Sequence, residues 1–85
     1  MKCNIDMKLE NTVIDCVAKA LNLNHQDINL GSKNLDFDFW DSFGQIAIVS
    51  VIESEFLIQF SIEDIYNSTS VEAIISIVKK YVNLD

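Results

Sequence analysis

Apolar side chains recur at helical spacing along most of this chain, and that pattern restricts the folds open to it. It predicts helices over about residues 6–21, 41–57 and 69–82. The motif Ser61-x-x-Asp64 predicts a further short helix that ends near residue 66. Because the chain contains no proline and only two glycines, nothing in its composition interrupts these segments. The sequence therefore predicts an all-α fold of three long helices and one short helix.

The predicted core consists of the apolar stripes of the three long helices. A second capping motif, Thr69-x-x-Glu72, marks the start of the last helix. In chain order, the stripe residues are Leu9, Val13, Cys16, Val17, Ala20 and Leu21, then Ile46, Val49, Ile52 and Phe56, then Val71, Ile74, Ile75, Val78, Tyr81 and Val82.

Residues 22–40 form a long connection between the first two helices, rich in Asn, Asp, Ser and Gly. A connection of this length without regular structure is uncommon in a small domain and is usually functional. The alternating segment 35–39 is a candidate strand, but a single strand would leave its backbone groups unpaired. We therefore expect an irregular segment that packs across the bundle through its apolar residues, Leu23, Ile28, Leu30, Leu35, Phe37, Phe39 and Trp40.

Length, charge and cysteine content exclude several classes of function. A chain of 85 residues is expected to form one domain over 1–85, with an ordered core of about 6–82. It has six lysines and no arginine, which argues against nucleic acid as a partner. The longest apolar stretch, Ile46–Ile52, is too short to span a membrane, and the first residues lack a signal-peptide pattern. Two cysteines without such a signal predict free thiols in the cytoplasm.

The net charge of −7 is concentrated in the centre of the chain. Residues 1–26 and 65–85 are each neutral, whereas residues 27–64 hold Lys33 against eight acids. A solvated face would explain this cluster, and so would a docking surface for basic partners. The acids are Asp27, Asp36, Asp38, Asp41, Glu53, Glu55, Glu63 and Asp64.

Few residues suggest catalysis or metal binding. His25 is the only histidine and has no second ligand residue near it in sequence, which favours an exposed loop histidine over a metal site. Cys3 lies near the N-terminus and Cys16 on the apolar face of the first helix, so neither indicates a nucleophile. Asp36 and Asp38 flank an aromatic residue in a loop with no apparent pocket. We therefore expect no catalytic residues and no metal site.

The segment Asp41-Ser42-Phe43-Gly44 lies where the long loop becomes the second helix. Asp41 or Ser42 would be an ordinary N-cap there, worth about 1 kcal/mol. The same place suits a phosphate ester on a serine, because the N-terminus of a helix is positively polarised. Taken as four isolated letters, the segment favours the capping interpretation.

In this setting the sequence resembles the acyl carrier protein family, the phosphopantetheine-binding carriers, over about residues 9–82. Asp41-Ser42-Phe43 is similar to the family's Asp-Ser-Leu-type signature. Glu55–Phe60 resembles its Glu-Phe-Gly-Ile-Glu-Ile-type helix exit, and residues 69–75 resemble the opening of its last helix. The spacing from Leu21 to the signature serine also agrees with the family.

The resemblance implies an acyl-carrier-like four-helix bundle and a non-catalytic function. Ser42 would carry 4'-phosphopantetheine, donated by coenzyme A through a phosphopantetheinyl transferase. The terminal thiol, and not Cys3 or Cys16, would carry an acyl or aminoacyl group as a thioester. A loading ligase would supply the cargo to a downstream synthase or transferase of a lipid or specialised biosynthetic pathway, with the carrier expected to be a monomer. The residues expected to contact partners are Asp41, Phe43, Ile46, Ala47, Val51, Glu53 and Glu55.

Several positions depart from the pattern of fatty acid carriers, in which the exposed face of the second helix is strongly acidic. Here that face consists of Phe43, Ala47, Ser50, Ser54 and, beside them, Val51. The bulky pair Phe39-Trp40 before the signature resembles D-alanyl and peptidyl carriers, but residues 65–69 are too short for the insert of D-alanine carriers. The departures imply a specialised carrier whose partners use apolar contact more than charge. The alternative is an acidic helical interaction module of this fold that is never phosphopantetheinylated.

Overall fold

The computed structural model describes the backbone of residues 2–38 and 40–82 and, within these ranges, the side chains from residue 8 onward. It contains no strand in this part of the chain. The all-α bundle of three long helices and one short helix is therefore confirmed. The helices are α1 (Lys2–Ala20), α2 (Ser42–Phe56), α3 (Ile62–Asn67) and α4 (Val71–Val82), with two 3-10 helices, His25–Asp27 and Asn34–Asp36, in the long connection.

The first helix extends beyond its predicted start. α1 begins at Lys2, so that Cys3 also lies in this helix. At the other end, Asn22 adopts the left-handed conformation with φ 60°. The backbone N–H groups of Asn22 and Leu23 donate to the carbonyls of Lys19 and Ala18, at 3.2 and 2.7 Å. These two bonds form a Schellman motif, and asparagine is one of the few residues suited to its left-handed position.

The core lies between the three long helices, as the apolar stripes predicted. α1 packs against both α2 and α4. The residues with no exposed surface are Val13, Val17, Ile48, Ile52, Val71, Ile74, Val78 and the polar Ser68. Four stripe residues, Ala20, Phe56, Tyr81 and Val82, are only partly buried against this core.

Ile46 corrects the predicted core stripe of α2. Its side chain is 59% exposed, and the buried residues of α2 are Ile48, Val49 and Ile52. Ile46 lies about 60° around the helix from Val49 and borders an open groove between α2 and α3. α2 carries apolar residues on most of its circumference, so the sequence period does not fix which of them face the core.

The capping motif predicted for α3 is confirmed, whereas the one predicted for α4 is wrong by one residue. The Oγ of Ser61 accepts from the backbone N–H of Asp64 at 3.1 Å. At α4 the cap is Ser70, whose Oγ accepts from the N–H of Ala73 at 3.1 Å, and not Thr69. Because residues 69 and 70 both carry hydroxyls, the sequence permits either register.

The long connection is fastened to the start of α4 by backbone hydrogen bonds. The N–H of Val71 donates to the carbonyl of Ser32 at 3.0 Å, and the N–H of Asn34 donates to that of Thr69 at 2.8 Å. An isolated bridge also pairs Lys33 with Ser70. The irregular, docked segment is therefore confirmed, and the candidate strand does not form among the described residues.

The apolar residues of this connection divide into two groups. Ile28 and Trp40 are buried, and Leu23 and Phe37 are partly buried, as predicted. Two others contradict the prediction, because Leu30 and Leu35 are 41% and 85% exposed. They flank the anchored residues 32–34, with Leu30 before them and Leu35 after them in the chain. Phe39 lies outside the described residues.

Leu57 ends α2 in a conformation that disfavours leucine, which makes Leu57→Gly a stability test. Its φ of 57° is left-handed, and its side chain is 89% exposed and gains little from packing. Left-handed φ costs an L-residue about 1–2 kcal/mol, part of which the greater unfolded-state entropy of glycine cancels. We expect Leu57→Gly to raise the free energy of unfolding by about 0.5–1 kcal/mol, measured by urea denaturation at an unchanged m-value. Leu35→Gly removes an equally exposed leucine at negative φ, and a similar gain there would contradict this explanation.

Candidate functional site

Asp41 and Ser42 have different positions at the start of α2, which resolves the capping question. Asp41 is the N-cap, and its Oδ1 accepts from the backbone N–H of Gly44 at 3.0 Å. Its carbonyl accepts from the N–H of Gln45 at 2.8 Å. Ser42 is the first helical residue and is exposed. Within the described part of the chain, its hydroxyl has no hydrogen-bond partner, so it is available for chemistry.

The backbone around Ser42 favours a negative group. The first N–H groups of an α-helix have no carbonyl partner inside the helix. Asp41 takes the N–H of Gly44, whereas the N–H groups of Ser42 and Phe43 have no acceptor among the described residues. Together with the helix dipole, these free donors would stabilise a phosphate attached at the serine oxygen.

A groove of about 440 Å³ opens beside Ser42, between the first turn of α2 and the short helix α3. Its walls are mainly apolar, but they also include the side-chain amide of Gln45 and the hydroxyl groups of serine, threonine and tyrosine residues. This mixture fits a flexible arm that carries methyl groups, amides and a hydroxyl, which is the chemistry of pantetheine. The groove is lined by Ser42, Gln45, Ile46, Ile62, Ile65, Tyr66 and Thr69.

A buried carboxylate holds α3 against α4. Asp64 is only 5% exposed; its Oδ2 accepts from the hydroxyl of Tyr81, and its Oδ1 accepts from Nζ of Lys80 at 3.2 Å. The Tyr81 ring stacks on Phe60, with ring centroids 5.8 Å apart. Hydrogen bonds, above all the one from Tyr81, lower the pKa of Asp64 from 3.8 to about 2. Asp64 is therefore a structural charge and not part of an exposed acidic field.

This lowered pKa predicts how acid acts on the fold. Because the folded pKa of about 2 lies below the ordinary aspartate pKa of 3.8, Asp64 stabilises the protein fully above about pH 4. That contribution is lost as the pH falls towards 2, since the unfolded chain then binds a proton that the folded one does not. We expect Asp64→Asn to be less stable at pH 7 and to lose less stability between pH 4 and 2, measured by urea unfolding at each pH. Glu63→Gln on the exposed side of the same helix should keep the native slope, and an equal change in both variants would contradict the assignment.

The expected partner-contact residues of α2 are arranged in two sets. Phe43 and Ile46 are 84% and 59% exposed beside Ser42, and Ala47 and Val51 are half-buried further along. At the far end Glu55 is exposed. Glu53 has an internal contact, because its Oε2 accepts from the backbone N–H of Phe60 at 2.8 Å. Its carboxylate therefore also fixes the chain after α2.

The acids before Ser42 stabilise local backbone as well as carrying charge. The carboxylate of Asp27 accepts from the N–H of Asn24, and that of Asp36 accepts from the N–H of Lys33, each at 3.1 Å. Both remain exposed. With Asp41 acting as the α2 cap, three of the four acids that precede the serine help to shape the loop and leave negative charge at its surface.

Other reactive side chains lie outside this site. Cys16 is buried in α1; burial, with the carboxylates of Glu55 and Asp15, raises the pKa of its thiol to about 11. The thiol is therefore protonated at neutral pH and a poor nucleophile. His25 is exposed, as predicted, and its Nδ1 contacts the carboxylate of Asp15. Among the described residues, no three His, Cys, Asp or Glu side chains are grouped to hold a metal ion.

Sequence reasoning missed the α3 side of the site. Ile62 and Tyr66 are 74% and 76% exposed and, with Ile65, form one wall of the groove. The spacing of these three residues is helical, and such a stripe ordinarily predicts a core face. The signal available in the sequence was the shortness of α3. A six-residue helix has little surface for packing, so part of its apolar face can remain exposed. Gln45, three residues after Ser42, was also missed as a lining residue.

Comparison with known proteins agrees with this geometry. The family model for the phosphopantetheine attachment site matches residues 11–78, which include α2, α3 and Ser42. No curated protein sequence matches the chain. None of the helices described here is both long and apolar enough to cross a bilayer. The match to the family model covers most of the chain and confirms the resemblance to the acyl carrier proteins. The chain belongs to the phosphopantetheine attachment site family, whose members bear 4'-phosphopantetheine covalently on a serine and act as carriers.

Proposed function

We propose that this chain is a non-catalytic carrier whose Ser42 holds 4'-phosphopantetheine. The observation that carries the proposal is the arrangement at the start of α2. Asp41 takes the capping role, and the Ser42 hydroxyl stays exposed beside an apolar groove and close to the N–H groups of Ser42 and Phe43, which have no acceptor among the described residues. Capping and modification therefore use different residues and do not compete.

The other serines of the matched segment are less suited to this role. Ser32 and Ser68 are buried. Ser61 and Ser70 use their hydroxyls to cap α3 and α4. The remaining serines are exposed but lie in the bodies of helices, where backbone N–H groups are already paired; they are Ser50, Ser54 and Ser76.

The protein contributes placement and electrostatics. The dipole of α2 and the N–H groups of Ser42 and Phe43 would stabilise the phosphodiester, and the groove would shelter the arm next to it. When bound, the prosthetic group supplies a thiol that carries an acyl or aminoacyl cargo as a thioester. The protonated thiol of Cys16 does not compete for that cargo, because it is buried.

Exposed apolar side chains around Ser42 support docking by apolar contact. Phe43, Ile46, Ile62 and Tyr66 surround the serine, and negative charge lies on the loop before it and at Glu55. This pattern fits a phosphopantetheinyl transferase, a loading ligase and a downstream synthase or transferase, each with an apolar centre and a basic rim. Because the outer face of α2 is uncharged along most of its length, we favour a specialised biosynthetic pathway over general lipid synthesis. We further propose that residues 1–85 act as one monomeric, cytoplasmic carrier domain.

The proposal is tested by incubating the purified protein with coenzyme A and a broad-specificity phosphopantetheinyl transferase. Intact mass should increase by one phosphopantetheine group, and peptide mapping should locate the group on the peptide that contains Ser42. An unchanged mass would instead favour an acidic interaction module that bears no arm. Attachment to any other serine would overturn the assignment of the site.

A further inference from the structure

The position of α3 depends on polar contacts more than on apolar burial. The six-residue helix buries only Asp64, and its apolar residues Ile62 and Tyr66 remain mostly exposed. An isolated helix shorter than about 12–15 residues is marginal in water. Contacts with α2 and α4 therefore decide where α3 lies, and it is the element most easily displaced by losing one of them.

Two sets of side-chain contacts hold α3 from opposite sides. On the α4 side, Asp64 accepts hydrogen bonds from Tyr81 and Lys80. On the α2 side, Nε2 of Gln45 donates to the carbonyl of Ile65 at 2.5 Å and lies 3.5 Å from that of Tyr66. Carbonyls in the last turn of a helix lack partners inside the helix, and the negative end of its dipole favours a donor there. The carbonyl of Ile65 also accepts from the N–H of the C-cap residue Ser68 at 3.2 Å, so Gln45 is its second donor.

We propose that Gln45 is a positioning residue, whose carboxamide ties the last turn of α3 to the first turn of α2 and so sets the width of the groove beside Ser42. Gln45 lines this groove together with Ile65 and Tyr66, the residues whose carbonyls it contacts. Loss of the donor would release the α3 wall while leaving the core of α1, α2 and α4 intact. The role in holding the arm rests on the proposed function, whereas the role in holding α3 does not.

Hydrogen exchange tests the hold on α3 in the unmodified protein. Gln45→Glu replaces the donor by a carboxylate that the α3 carbonyls repel, and Gln45→Met removes the donor at similar length. In both variants, the amides of Ile65 and Ser68 should exchange about tenfold faster, while those of α1 and α4 stay unchanged. Gln26→Glu, in an exposed 3-10 turn, makes the same charge change as Gln45→Glu. It should leave the amide exchange rates of α3 at their native values. Native exchange rates in both Gln45 variants would overturn the proposal.

Amide chemical shifts after modification test the effect on the arm. Each protein is modified with coenzyme A and a transferase, and the extent is checked by intact mass. Attachment should change the amide chemical shifts of Ile62, Ile65 and Tyr66 in the native protein and in Gln26→Glu. In the two Gln45 variants, these chemical-shift changes should be at most half as large. Equal α3 shifts in all four proteins would overturn the role of Gln45 in placing the arm. A native protein that gains no mass would contradict the proposed function, and the exchange rates would still decide whether Gln45 holds α3.

Discussion

Ser42→Ala is expected to abolish attachment of phosphopantetheine completely, because it removes the oxygen to which we assign the phosphodiester. The variant should fold normally, since Asp41 remains the N-cap of α2 and the Ser42 side chain is exposed without a described partner. Its free energy of unfolding should stay within about 0.5 kcal/mol of the native value, as for most surface substitutions. Intact mass after incubation with coenzyme A and a transferase measures the loss.

Ser50→Ala is the matched control for this experiment. Ser50 is another exposed serine of α2, two turns further along, where the backbone N–H groups are paired within the helix. It should be modified to the same extent as the native protein. Attachment that persists in Ser42→Ala, or is lost equally in Ser50→Ala, would contradict the site assignment.

Phe43→Glu is expected to lower kcat/KM for the transferase by about 30-fold or more. Phe43 directly follows Ser42, the proposed attachment site, and is 84% exposed, so its ring is available to fill an apolar site on a partner. A buried aromatic contact at an interface is worth at least about 2 kcal/mol when it is a hot spot, and about 1.4 kcal/mol corresponds to tenfold in rate. Folding should be unaffected, because glutamate is favourable in the first turn of a helix. Steady-state kinetics with the carrier as varied substrate give the ratio.

Leu57→Glu provides a control of equal charge change and similar exposure. Leu57 is 89% exposed, and it ends α2 about 20 Å from Phe43 at the rise of an α-helix. We expect less than a threefold change in kcat/KM for this variant. A comparable loss in both variants would mean that added negative charge, and not the missing aromatic contact, is responsible. A native rate for Phe43→Glu would remove Phe43 from the docking surface.

Helical periodicity and local capping motifs in the sequence predicted most of the fold. α4 has a well-defined apolar face, and Val71, Ile74, Ile75 and Val78 are all buried as predicted, with Ile77 buried beside them. The end of α1 at Asn22 and the Ser61 cap of α3 follow from local chemistry, because each depends on a few neighbouring residues. The signature around Ser42 was recognisable for the same reason.

α2 shows where periodicity failed. Apolar residues occupy most of its circumference, so Ile46 fitted the core stripe as well as Ile48 did. Tertiary packing, above all of α2 against α1, places Ile48 in the core and leaves Ile46 at the groove. Likewise, two adjacent hydroxyl residues allowed two caps for α4, and the hydrogen bond to Ala73 selected Ser70.

The sequence by itself was sufficient for the helical fold and the family, because these depend on helical periodicity and on the joint spacing of several short motifs; it also points to Ser42 as the serine that we propose is modified. The tertiary structure decided that Asp41 caps α2, that Asp64 is buried and that α3 forms one wall of the groove beside Ser42. Each of these features requires contact between segments far apart in the chain, such as Asp64 with Tyr81 or Gln45 with Ile65, or depends on a choice between neighbouring caps. Helical periodicity describes one helix at a time and carries no information about which neighbour will cover it.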